Sequence, residues 1–430
     1  MIVSVDRTAE QTNSARNPEG GRGVASTPSG KARLADHGPR CPLARAMSLA
    51  VAESIYSVWT KGRDIASLGT NDGAVPLAFQ KWHNFKEAFA PELIFDAAES
   101  VDGAVTSCLD PFGGSGTTAL TCQMLGIHST TVEVNPYLAD VIRAKLHPHD
   151  PDVLVARLRD VRRASRRVWP DVEPLREMLP PTFIEPGLGG RWIFDAEVAR
   201  ELVSVLGTID SVNTGDEPSR RFFRVVIGGM LTEVSNVLVS GKGRRYRRNW
   251  QERKFARGEV LTLFAARAAS AIEDVSAFVN RPKVRATVVE GDARIQQFVN
   301  QFDMSVFSPP YPNSFDYTDV YNVQLWMLGY LSDSSSNIAL RRNTLASHVQ
   351  VSREYKSAPS GSTTLTSALE ELESERENLW SKHLPAMVGG YFQDLLEVTE
   401  CVLGSLRIGG ECWMVVGDSR YGHTQFPLPR

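Results

Sequence analysis

The sequence predicts an α/β fold: a three-layer, Rossmann-like sheet interrupted by a helical insertion. Three observations point there. Residues 105–146 run strand, Gly-rich loop, helix, strand, helix, an order that builds a parallel sheet covered by helices. Residues 151–280 carry apolar residues at helical spacing, as in Val198, Leu202, Val205 and Leu206. Strand patterns then return at 285–289, 304–307 and 411–416.

Taken in order, residues 1–45 are rich in Gly, Ser, Pro and Arg. Such a segment buries too little apolar surface to offset its ordering entropy, so a disordered tail is expected. A start codon assigned too far upstream gives the same composition. Residues 46–100 read as mostly helical, with Pro91 in the first turn of the last helix. A buried strand at 105–109 precedes a helix at 117–125, which Gly126 ends. A strand at 130–134 and a helix at 136–146 follow. Residues 331–383 are polar, Ser-rich and then acidic, which reads as loops and an exposed helix.

Composition bounds the function. The 430 residues are 42% hydrophobic and 23% charged, with net charge -3. That balance suits a globular protein with a real core and carries no global sign of nucleic acid. Cys41, Cys108, Cys122, Cys401 and Cys412 form no CxxC pair and no zinc spacing, so no metal and no disulfide framework is expected. No apolar run approaches the roughly 18 residues that span a membrane. No basic-then-apolar leader opens the chain. The reading is cytoplasmic, with no membrane partner.

The segment Asp110-Pro111-Phe112-Gly113-Gly114-Ser115-Gly116-Thr117-Thr118 follows a strand and opens a helix. Glycines let a backbone approach a ligand, and free N–H groups at a helix start favour an anionic group. Glu133 ends the next strand, where a carboxylate can accept from both hydroxyls of a ribose. Gly114 to Ala119 also fits the G-x-G-x-x-A dinucleotide fingerprint, which leaves a nicotinamide-dependent oxidoreductase open.

Ser308-Pro309-Pro310-Tyr311 follows the strand at 304–307. Two prolines fix φ and remove two donors, leaving a rigid loop of carbonyl acceptors. With the Ser308 hydroxyl, these can accept from an NH2 group and aim its nitrogen lone pair. Tyr311 offers a face on which a flipped base can stack.

These two loops together resemble the signatures of S-adenosylmethionine-dependent DNA amino-methyltransferases. Asp-Pro-Phe-x-Gly-Ser-Gly-Thr-Thr is similar to that family's cofactor loop, and Ser-Pro-Pro-Tyr to its catalytic tetrapeptide. The Ser form looks most like the N4-cytosine group, the Asp form like N6-adenine enzymes, and the Asn form like glutamine-modifying ones. The run 308–329 resembles one branch of site-specific DNA methyltransferases, sharing its Asp316-Tyr317 and Leu325-Trp326 context. The resemblance implies S-adenosyl-L-methionine as cofactor, near Asp110, Phe112, Gly113, Gly114, Ser115, Gly116 and Thr117. It puts Glu133 on the ribose. Asp292 fits the position that meets the adenine amino group, with a strand-end cap as its other reading. Phe89, in a run at 83–93 similar to the motif before the cofactor loop, completes the methionine pocket or is an ordinary core residue. The domains implied are a cofactor half at 46–150, the insertion at 151–280 for target recognition, and a catalytic half at 281–430.

The implied reaction is direct transfer to an amine nitrogen. C5 methylation of cytosine uses a Pro-Cys loop, and here only Cys41-Pro42 occurs, in the reverse order. Residues 242–254 suit phosphate binding: Lys242, Arg244, Arg245, Arg247 and Arg248 lead the run, with Tyr246 and Trp250 interleaved for stacking. A solvated basic face is the bland alternative. Duplex DNA is the expected partner, in a solitary role or beside a cognate restriction endonuclease. An N6-adenine methyltransferase, an RNA or protein amine methyltransferase and an inactive DNA-binding remnant stay open. Sheets of this family usually have seven strands. The strand at 411–416 reads as the fifth, and 417–430 is too short for two more, so C-terminal strands are expected to be missing.

Overall fold

The computed structural model describes residues 54–71, 73–240, 243–299 and 301–426. The expected tail at 1–45 lies outside the described residues. In chain order the strands are β1 (Ser107–Asp110), β2 (His128–Glu133), β3 (Val237–Ser240), β4 (Gly243–Tyr246), β5 (Ala286–Glu290), β6 (Phe302–Phe307), β7 (Leu406–Met414), β8 (Ser419–Tyr421) and β9 (Thr424–Phe426).

Five of these strands form one parallel sheet in the order β5-β2-β1-β6-β7. From β1 the chain builds outward in two directions, through β2 and β5 on one side and β6 and β7 on the other. Loops leaving the two central strands therefore part at the carboxyl edge and open a crevice there. Register fixes their relation, since Cys108 pairs with Met304 and Leu109 with Ser305.

Side-chain alternation makes the three layers. Cys108 and Val306 point into one core, Leu109 and Phe307 into the other. Helices Pro91–Ser100, Thr117–Met124 and Pro136–Leu146 cover the first face through Leu93, Leu120 and Val141. Helix Leu384–Ser405 covers the second through Val398 and Val402. Helix Pro136–Leu146 starts where its sequence says it should. Asn135 accepts from Tyr137 N and Leu138 N, and Pro136 needs no donor partner.

The insertion supplies helices Pro151–Ser165, Ala196–Val212, Glu217–Met230 and Glu259–Ala277. Their apolar stripes join the core of the first face without a break. It is not purely helical, however. β3 and β4 form an antiparallel ribbon within it, built on the basic run.

Two other expectations are corrected. Residues 61–90 are mainly turns, with one 3-10 turn at Gln80–Trp82, rather than helix. Lys61, Gly62, Gly73 and Phe79 take left-handed backbone there, which breaks helical continuation. The last sheet strand begins at Leu406, five residues before the expected 411. After it, β8 and β9 pair only with each other. Tyr421 and Phe426 pack them on helix Thr363–Ser374, beside Leu365 and Leu372, away from the main sheet. No helix among the described residues is long and apolar enough to cross a membrane.

One carboxylate pins the centre of the sheet. Asp303 Oδ2 accepts from Thr106 N at 2.7 Å, Thr106 Oγ1 at 2.8 Å, Ser107 N at 2.9 Å and Ser107 Oγ at 3.0 Å. Arg407 Nε reaches its Oδ1 at 2.6 Å. Burial works to raise its pKa, but the bonds from Thr106, Arg407 and Ser107 outweigh it and hold the carboxyl below the usual range. Asp303→Asn is expected to lower stability by about 2–4 kcal/mol at neutral pH, measured by urea unfolding. The native contribution is present above the unfolded pKa and is lost as pH falls through the folded one. The variant's stability should therefore vary less across the acid limb. Equal stability of the two proteins at neutral pH contradicts this.

Candidate active site

The crevice holds a cavity of about 360 Å³, within the usual size of a small-molecule site. Its floor is the loop that leaves β1. Gly113 N donates to Val132 O at 2.8 Å and Gly114 N to Glu133 Oε2 at 2.7 Å, so the loop lies on the end of β2. That closeness explains the glycines. A Cβ on Gly113 would sit 2.2 Å from Thr131 Cγ2, and one on Gly114 (φ 53°) would sit 2.9 Å from Phe85 Cζ. Gly116, also left-handed, starts helix Thr117–Met124 without a side-chain cap. Its first-turn N–H groups are thus left for a ligand.

Glu133 Oε1 accepts from Asn135 N at 2.8 Å. Burial, its largest influence, outweighs these backbone bonds and pushes its pKa up to about 8. Asp110 accepts from Phe112 N at 2.9 Å, and burial pushes it up to about 7. Burial also raises Glu87, which accepts from Tyr321 Oη at 3.2 Å. Three hard-to-ionise carboxyl groups therefore line one cavity. Bound positive charge there stabilises their ionised forms.

Lys145 braces the loop from behind. It is fully buried and donates to Ser115 O at 2.7 Å and Gln80 Oε1 at 3.2 Å. Burial lowers its pKa to about 7. Ser115 Oγ has no hydrogen-bond partner.

The second wall is Ser308-Pro309-Pro310-Tyr311, leaving β6. Ser308 Oγ donates to Val415 O at 3.1 Å and lies 3.3 Å from Tyr311 Oη. With the Ser308 proton on that carbonyl, Tyr311 Oη is the donor of the 3.3 Å contact, and one Ser308 lone pair remains for another donor. Tyr311 N lies within reach of Tyr317 Oη at 3.4 Å. A Cβ on Gly417 would come 3.0 Å from Tyr311 Cε2, so the absence of one there seats the ring.

Phe89, Asp110, Phe112, Gly113, Gly114, Ser115, Thr117, Glu133, Ser308, Pro309, Pro310 and Tyr311 all line this cavity. Gly116 does not line it. Asp292 does not line it, although Gly291 and Ala293 do. Its carboxylate caps Arg294 N at 2.9 Å and grips the Arg294 guanidinium at 2.6 Å and 3.0 Å. That is the strand-end cap, reinforced by an ion pair. Motif reading missed Phe85, Glu87, Thr318, Tyr321 and the wall at 343–348. Phe85 and Tyr321 stack, with rings 5.9 Å apart and 7° from parallel. Among the described residues, no group of His, Cys, Asp and Glu could hold a metal ion.

The basic run divides. Lys242 lies outside the described residues. Arg247 donates to Ser235 O at 3.1 Å and Thr232 O at 2.8 Å, and Arg253 donates to the Ser235 and Glu233 carbonyls. Residues 232–236 thus form a turn that the ribbon grips. Arg244 pairs with Asp319 at 3.2 Å, which ties the ribbon to the helix that follows the Ser308–Tyr311 loop. Arg245 and Arg248 stay exposed. Trp250 packs on Tyr246 at 5.0 Å and Trp192 at 4.8 Å, rather than standing ready to stack on a ligand.

A parallel sheet of this order, with a Gly-rich loop at its switch point and an acid ending the second strand, is a Rossmann-like methyltransferase fold. Known proteins agree. The chain is 22% identical over 409 residues to the type II methyltransferase M.BsoBI of Geobacillus stearothermophilus, covering 82% of this chain and 76% of that one. It is 23% identical over 377 residues to the type II methyltransferase M.AvaI of Nostoc sp., covering 79% and 74%. M.AvaI of Anabaena variabilis matches to the same extent. No protein-family profile and no solved structure matches. These likenesses are low in identity but run over most of the chain, and they support the DNA methyltransferase family.

The split of the basic run is testable by thermal unfolding. Arg247→Ala is expected to destabilise by about 1–3 kcal/mol, because the part-buried bonds to the Thr232 and Ser235 carbonyls lose their charged donor. Arg245→Ala should stay within about 0.5 kcal/mol of the native protein, as exposed substitutions do. Equal effects would show that the ribbon does not depend on the Arg247 bonds.

Proposed function

We propose that this protein transfers a methyl group from S-adenosyl-L-methionine to the exocyclic N4 amine of a flipped cytosine in duplex DNA. The observation that carries this is the Ser308 hydroxyl, whose proton goes to Val415 O and which, beside its contact with Tyr311 Oη, keeps one lone pair for an NH2 group. Its place beside a nucleoside-sized cavity supports the reading.

The chain's residues fit the cofactor. Glu133 suits the two ribose hydroxyls. Ser115 Oγ is an unpaired polar atom on the loop that would hold the methionine end. Three hard-to-ionise carboxyl groups suit a molecule with two cationic centres. When bound, S-adenosyl-L-methionine supplies an electrophilic methyl on a cationic sulfur. Everything else is positioning and electrostatics. Ser308 Oγ and the Pro309 carbonyl accept from the amine and turn its lone pair toward the methyl. They also stabilise the positive charge that builds on nitrogen during attack. Tyr311 stacks on the base, and the two prolines keep the loop from relaxing.

The exposed Arg245 and Arg248 offer phosphate contacts, and the insertion supplies target recognition. The relatives are named as type II methyltransferases, and we extend that restriction–modification role, with a companion endonuclease, to this chain.

Full-length protein incubated with labelled cofactor and bacterial DNA should yield N4-methylcytosine on digestion to nucleosides. Ser308→Ala and Tyr311→Ala should each lower turnover by at least about 100-fold, while cofactor binding persists. N6-methyladenine as product would correct the base. Failure to bind the cofactor would sink the assignment.

Binding should also depend on pH. Glu133 and Asp110 hold protons up to about 8 and 7, and a cationic ligand favours their ionised forms. Cofactor affinity should then rise between pH 6.5 and 8.5, by up to about tenfold per unit for each proton released. Calorimetry on native protein and Glu133→Gln checks this, and the variant should show a shallower rise. A native affinity that is flat across this range contradicts it.

A further inference from the structure

One wall of the cavity belongs to neither motif. It comes from residues 343–348, which follow helix Ser334–Arg342. The segment is tied down from several sides. Arg353 donates to Arg341 O at 2.7 Å, Thr344 O at 2.8 Å and Leu345 O at 3.2 Å. Asp394 accepts from Ala346 N at 3.0 Å and is itself paired with Arg294 and Lys356, each at 3.0 Å. Arg341 lies 3.0 Å from Asp316, just after the Ser308–Tyr311 loop. A wall held this way can present side chains at fixed positions.

Two neighbouring residues of this wall, Ser347 and His348, line the cavity, and each is only 1% exposed. Ser347 Oγ and His348 Nδ1 have no hydrogen-bond partner within 3.5 Å, the Gln350 side chain being the polar neighbour that acts on the ring from beyond that distance. Buried polar atoms are nearly always paired, so two adjacent orphans in a cavity wall call for a ligand's polar edge. Their chemistry specifies that edge. His348 Nε2 lies 3.3 Å from Arg353 Nη2, and a guanidinium can only donate. Nε2 therefore accepts, and the ring proton sits on Nδ1. Burial keeps the ring neutral, bringing its pKa down to about 4 against the pull of Asp316. Both orphans can then donate.

Beyond its amine-bearing carbon, cytosine presents two acceptors in sequence, N3 and O2. Adenine presents N1 and then a C–H, which would leave one donor buried and unpaired, at a cost of about 1–3 kcal/mol. We propose that His348 Nδ1–H and Ser347 Oγ–H read N3 and O2 of the flipped base and so select cytosine, an inference that rests on the amine-methylation reading above. The ring N–H, fixed in direction, suits the single in-plane lone pair of N3. The rotatable hydroxyl suits the two lone pairs of O2.

The test is a cycle between enzyme and substrate. Sequencing of methylated bacteriophage DNA locates the modified site. A synthetic duplex then carries 3-deazacytosine at the target, which removes the N3 acceptor and keeps the amine and O2. In the native protein this change should lower kcat/KM by about 10- to 100-fold. In His348→Ala it should cost no more than about threefold further, because the partner is already gone. His348→Asn, whose amide can sit where Nδ1 does, should keep the native sensitivity. His348→Gln should behave like the alanine variant. Unchanged cofactor affinity shows that the variants are folded. An equal loss on 3-deazacytosine in His348→Ala and native protein, with N4-methylcytosine still formed, overturns this inference and leaves the proposed reaction standing. N6-methyladenine, or no transfer at all, overturns the reaction and this inference with it.

Discussion

The hydrogen bond from Ser308 Oγ to Val415 O decides what the Ser308–Tyr311 loop can offer a ligand. It joins the ends of two neighbouring strands. The same two ends are fixed by Val415 N donating to Phe307 O at 2.8 Å, so donor and acceptor cannot drift apart. A free serine hydroxyl is a rotor that can donate as readily as accept. Here the proton is spoken for, and the oxygen faces the cavity as an acceptor. In the proposed reaction, parallel pairing of β6 with β7 thus serves the chemistry as well as the scaffold. Asp303 secures that pairing from the other end of β6, reaching both β1 and Arg407 of β7.

The cavity is built at some expense to stability. Asp110 and Glu133 are buried and Glu87 is partly buried, with few charged partners, and Lys145 sits fully buried behind the loop. Burying ionisable groups in this way is unfavourable unless something returns the lost hydration. A cationic ligand can do this for the carboxyl groups. Such local conflict is what a binding site imposes on an otherwise consistent fold. Gly113 and Gly114 show the same pressure in the backbone, since each gives up a side chain so that the loop can press against Thr131 and Phe85.

Legibility in the sequence followed how local the cause was. The loops after β1 and β6 were readable because Gly-rich turns and Pro-Pro act over a few residues. The buried strand ahead of the first loop was readable for the same reason. Arg247 and Arg253 were not distinguishable from Arg245 and Arg248, because what separates them is the fold-back of residues 232–236 onto the ribbon. Trp250 looked available until its packing on Trp192 was known. Asp292 satisfied a motif position, but its pairing with Arg294 depends on a turn two residues long. The wall at Ser347 and His348 has no motif. It exists because Arg353 and Asp394, from later in the chain, hold it in place.

The most direct measurement of the central claim is a structure of the full-length protein with its demethylated cofactor product and a duplex containing the modified site. The account predicts the target amine nitrogen about 2.7–3.2 Å from Ser308 Oγ, with Oγ still bonded to Val415 O. A Ser308 hydroxyl turned away from Val415 and donating to the base would contradict it.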